Sequence, residues 1–154
     1  MSMPAPTEHH DRLEAMVGTW RVEETMAPSP WDPVGGPATA TSVGRRDLDG
    51  MHLIVDYQQT RDGGISFRGH GVYGWDPTVG CYTMYWFDSM GFDPGGPAQG
   101  TWEGDTLTFV AERSHGHSRY VYTFEGPDRF RFHIEMSPDG STWSRWLDSV
   151  YTRA

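Results

Sequence analysis

Three carboxylates stand where an alternating strand should carry apolar side chains. Glu24 shares a face with Trp20 and Val22, Asp88 with Tyr82, Met84 and Trp86, and Asp148 with Trp146 and Val150. A carboxylate taken out of water must be paired, or must shift toward its neutral form. Two or three of them converging in a dry pocket could act as general acid and base. A position at a barrel mouth, or pairing with an arginine such as Arg145 or Arg45, would account for each without catalysis.

The histidines offer less. His70 and His133 fall on outward faces, and a slip of one residue in either strand would turn them inward as general bases. His115 and His117 stand at i and i+2, the spacing of paired metal ligands on one strand face, but in a glycine-interrupted turn that reads as a surface hairpin. His9 and His10 are adjacent and do not face one another. No HExxH, CxxC or GxSxG is present, and no phosphate-binding glycine loop follows a strand. No metal or cofactor is expected. The single cysteine, Cys81, lies in an apolar run, reads as a buried inert thiol, and fits a reducing cytoplasm.

The elements that must position these groups are extended. Thr7 caps a short predicted helix over 8–17 after a loose leader, 1–7, and Gly18 stops it. Period-two alternation then begins at Trp20-Arg21-Val22-Glu23-Glu24-Thr25-Met26. Further strands are predicted over 38–48, 51–60, 65–75, 80–89, 98–103, 105–113, 118–125, 129–137 and 142–153. Asp-Gly and Gly-Pro-Asp turns separate many of them. Trp31-Asp32-Pro33, Trp75-Asp76-Pro77 and Phe92-Asp93-Pro94 repeat at unequal spacing and read as turn chemistry.

A meander of about ten strands closes most simply into an up-and-down antiparallel barrel, too wide for side chains to fill. A two-sheet sandwich is the competing architecture. The 154 residues make one all-β domain, 1–154. The apolar faces are rich in rings, and Tyr57, Tyr73, Trp86, Tyr120, Tyr122 and Trp146 are the expected lining of a cavity. A solid aromatic core is the alternative.

The net charge is −9, with 12 Arg and no Lys. Such a chain repels nucleic-acid phosphates and anionic membrane surfaces. No basic segment leads into an apolar run at the start, so no signal peptide is expected.

Leu13-x-x-x-x-Gly18-x-Trp20 after a short helix resembles the opening of lipocalin-type barrels, where the Trp closes the floor under the helix. Further resemblance is carried by Leu48-Asp49-Gly50-Met51-His52-Leu53, Phe67-x-Gly69-x-Gly71-x-Tyr73-Gly74-Trp75-Asp76, Tyr85-Trp86-x-Asp88-Ser89 and Tyr151-Thr152-Arg153. Together they resemble an uncharacterised bacterial lipocalin-like family of the calycin group, a family of unknown function. That resemblance implies a barrel of about ten strands with a small-molecule cavity. The related nitrobindins hold haem through a His on the last strand. Trp146 falls at that position, so haem binding would need another His and is a minor alternative.

The expected function is a cytoplasmic barrel that binds a hydrophobic or aromatic small molecule, with Asp88 and Glu24 fixing its orientation. A barrel enzyme of cyclase or isomerase type is the runner-up. It would hold a flexible substrate in a reactive pose and use Asp88, Glu24 or Asp148 as acid or base. A third reading is a homodimer through an exposed strand, with loops 27–37 and 91–97 as lid or interface.

Overall fold

A computed structural model describes residues 1–154. The strands are β1 (Gly18–Met26), β2 (Gly36–Asp47), β3 (His52–Arg61), β4 (Gly64–Asp76), β5 (Cys81–Asp88), β6 (Ala98–Glu103), β7 (Thr106–Arg113), β8 (Gly116–Phe124), β9 (Arg129–Ser137) and β10 (Ser144–Arg153). Each lies antiparallel beside its sequence neighbour. β1 pairs with β10 from Trp20↔Arg153 to Met26↔Leu147, which closes the barrel. The sandwich is thereby excluded, and no full-length edge strand remains for a dimer contact. The shortest seam is between β5 and β6, with only three residue pairs, Tyr82↔Gly100 to Met84↔Ala98. The predicted turns form, with Asp32, Asp76 and Asp93 accepting from the backbone N–H of Gly35, Thr78 and Gly95. No helix is long and apolar enough to cross a membrane.

The predicted helix is shorter than its apolar edge suggested. α1 covers Glu8–Arg12, and Leu13–Met16 tighten into a 3-10 turn. The tighter turn brings both Leu13 and Met16 into the core. The turn lies against β2, where a Cβ on Gly44 would stand 2.2 Å from the Met16 carbonyl oxygen. Only glycine allows that approach. Arg46 ties the helix to β2 through Asp11 at 3.0 Å and Glu14 at 3.2 Å.

Trp20 is the barrel floor. It is 1% exposed, and its indole N–H donates to the Met16 carbonyl at 3.1 Å. Phe130 meets it edge-on at 4.8 Å, and the Arg153 guanidinium lies 4.3 Å from its ring.

The helix cap makes the floor sensitive to acid. The Thr7 backbone N–H donates to His10 Nδ1 at 2.9 Å, so that nitrogen must be free of a proton. Burial pushes the buried His10 below its ordinary 6.5; Arg46, His52 and His9 push the same way, and Asp11 opposes them. Below pH 6.5 the unfolded chain therefore binds more protons at His10 than the folded one. This contribution to stability is complete above 6.5 and is lost as pH falls through the lower folded value. Melting temperature should drop between pH 7 and pH 5, and His10→Gln should flatten the drop. An equal drop in both proteins would show that His10 is not its source.

Candidate functional site

Alternation aims every second residue of each strand into the barrel, where a cavity of about 260 Å³ remains open. Met16 and Trp20 bound it on the helix side. Tyr57, Tyr73, Trp86, Tyr120, Tyr122 and Trp146 all line it, with Phe67, Phe130, Phe132 and Tyr151.

Glu24 also lines the cavity and is 5% exposed. It is held by three neutral donors from three other positions in the wall. The Tyr57 hydroxyl and the Gln59 amide, the latter at 2.9 Å, both donate to Oε1. The Ser149 hydroxyl donates to Oε2 at 2.9 Å. Gln59 is itself oriented by Ser66, whose hydroxyl donates to Gln59 Oε1 at 2.9 Å. Burial and the adjacent Glu24 raise the Tyr57 phenol well above its ordinary range, so it remains a proton donor. Deeper in, the Tyr73 and Tyr122 hydroxyls lie 2.7 Å apart. Burial pushes Tyr73 up to about 12 and raises Tyr122 as well. None of these phenols is a base at neutral pH.

Asp88 is half-buried where the cavity meets an outer groove. Its Oδ2 accepts from the Trp86 indole N–H at 3.1 Å, and its Oδ1 from the Met90 backbone N–H at 3.0 Å. The Trp86 indole lies over Gly69 and Gly71. A Cβ on Gly69 would be 1.9 Å from its Cζ2, and one on Gly71 3.2 Å from its Cε3. The two glycines make room for the ring.

Asp148 is not in the cavity. The β9–β10 register shifts between Arg145 and Leu147, a bulge that inserts one residue and reverses the alternation after it. Leu147, Ser149 and Tyr151 turn inward, while the Asp148 side chain is 56% exposed and pairs with Arg145. The bulge also lets Trp146 line the cavity beside Leu147. Arg45 binds Asp56 and Asp47 and no inward carboxylate. His70 and His133 stay on the outside, 2.7 Å from Asp56 and 3.0 Å from Glu135. No histidine lines the cavity, so haem finds no imidazole there. His117 packs edgewise near Trp143, and no cluster of three metal-binding side chains forms.

A family model described as "Protein of unknown function (DUF1579)" matches residues 5–153. The chain belongs to the DUF1579 family. No curated protein matches its sequence. Among solved structures, Rv2717c from M. tuberculosis superposes on this DUF1579 barrel with a TM-score of 0.70 at 15% identity. The match covers 96% of this chain and 98% of that one. The S-type phycobiliprotein lyase CPES from Guillardia theta gives 0.65 at 9% identity, covering 95% and 92%. EF1p2_mFAP2b bound to DFHBI gives 0.50 at 14%, covering 94% and 98%. At these identities the likeness is one of fold. Family and fold together make the chain a closed ten-stranded β-barrel of the DUF1579 family.

Proposed function

We propose that this DUF1579 protein binds a hydrophobic or aromatic small molecule inside its barrel. The observation that carries the reading is the open cavity of about 260 Å³ walled mainly by apolar side chains, eleven of them aromatic. A barrel of this kind built only for stability would be filled, because unfilled apolar space costs stability. Tyr57, Tyr73, Trp86, Tyr120, Tyr122 and Trp146 supply apolar area, while Glu24 and Asp88 orient the guest. Similar barrels support this: one is a phycobiliprotein lyase and another is described as bound to DFHBI. A cytoplasmic setting suits its one free thiol. Its net charge of −9 makes nucleic acid and anionic membranes poor partners.

Titration with the neutral probe N-phenyl-1-naphthylamine tests the reading. Saturable quenching of tryptophan emission is expected, with a Kd on the order of micromolar. Trp86→Phe should reduce the amplitude, because Trp86 lines the cavity. Absence of saturation, or equal quenching without Trp86, would count against an internal site.

A further inference from the structure

We infer that the guest of this cavity is a cation, a protonated amine or nitrogen heterocycle on a flat apolar body, held against the Glu24 carboxylate. The inference rests on the small-molecule reading above and names its ligand class.

Glu24 is 5% exposed, yet it belongs to none of the ion pairs of the protein. Buried carboxylates are almost always paired with a cation or a metal. Here every protein partner is neutral: a phenol, an amide and a hydroxyl. All three donate, which is the arrangement an acceptor-only anion requires. Oε1 takes two of these bonds and Oε2 takes one, so Oε2 keeps capacity for another donor. The charge is solvated by the wall and left unbalanced by it.

The rest of the lining points the same way. Neither Arg nor His reaches the cavity, and the only other carboxylate on its wall is Asp88, also without a cationic partner. Two carboxylates in low-dielectric walls give the interior a negative potential. Tyr57 stands edge-on to both Phe67 and Trp86, at 6.2 and 6.0 Å between ring centres. Rings beside a carboxylate form the surroundings that attract organic cations. An anionic guest meets repulsion there, and a neutral one gains only its apolar area.

The test uses three probes of one shape. 1-Naphthylmethylamine carries an ammonium at pH 7, 1-naphthalenemethanol is neutral and 1-naphthoate is an anion. Calorimetry on the intact protein should rank them in that order, with the ammonium at least about tenfold tighter than the alcohol. Glu24→Gln should narrow that gap to about threefold, and more than Asp88→Asn does. Equal or tighter binding of the alcohol to the wild type overturns the cation assignment while leaving a small-molecule barrel. Binding of none of the three overturns the small-molecule reading itself. A gap that closes only in Asp88→Asn removes Glu24 from the role. The wild-type ranking decides the ligand class even if Glu24→Gln fails to fold.

Discussion

Trp20→Ala is expected to lower the unfolding free energy by about 3–5 kcal/mol. The ring is 1% exposed and touches parts of the chain far apart in sequence. Its indole N–H ties β1 to the 3-10 turn at Met16, its edge meets Phe130 of β9, and its face takes the Arg153 guanidinium of β10. Alanine leaves a cavity at the floor and removes the donor from a carbonyl that the helix does not otherwise use. Against a total of about 5–15 kcal/mol for a domain of this size, the loss is a large part of the whole. Urea unfolding should show the midpoint moving sharply with little change in slope. Trp20→Phe restores most of the apolar area but no donor, and should cost less. A loss below about 1 kcal/mol for Trp20→Ala would mean that the floor is held elsewhere.

The largest effect on the cavity should come from a residue with no side chain. Gly69→Val places a Cβ where the Trp86 indole now lies, 1.9 Å from Cζ2 and 2.5 Å from Cη2. Atoms cannot share that space, so the ring must lift and its 3.1 Å bond to Asp88 must break. Probe affinity should fall by about tenfold or more, and Trp86 emission should move to the red as water reaches it. Stability should fall by about 1–3 kcal/mol, the usual cost of overpacking. Unchanged affinity and emission in a folded Gly69→Val protein would show that Trp86 does not shape the site.

Much of this architecture is legible from period-two alternation, because one side of nearly every strand faces the same apolar interior. The inward sets Trp20-Val22-Glu24, Leu53-Val55-Tyr57 and Tyr82-Met84 lie buried as their spacing predicts. β10 departs from its pattern for a local reason. Its bulge follows Arg145 without a glycine or proline to mark it, and one extra residue exchanges the two faces of everything after it. That is why Asp148 reads as buried and is exposed, and why Ser149 goes unnoticed as a partner of Glu24. Gln59 is missed differently: it stands two residues beyond Tyr57, on the same face, but sits inside the polar run Gln58-Gln59-Thr60-Arg61, where no apolar residue marks which face is inward. Its inward position follows from the pairing Ala40↔Gln59, a long-range fact. The predicted helix over 8–17 has the right apolar edge, while the tightening of its second half answers to the close approach at Gly44.

Tyr85–Asp88 have no β6 neighbour beyond Met84, whereas β3 and β4 share ten residue pairs. A wall with such a slit loosens there first, since peptides bonded on one flank open more cheaply than those in a complete ladder. Deuterium should enter the amides of 85–88 well before those of β3. A bulky guest then has a sideways route to the hollow, and uptake needs only local breathing while the remaining staves of the tube keep their shape.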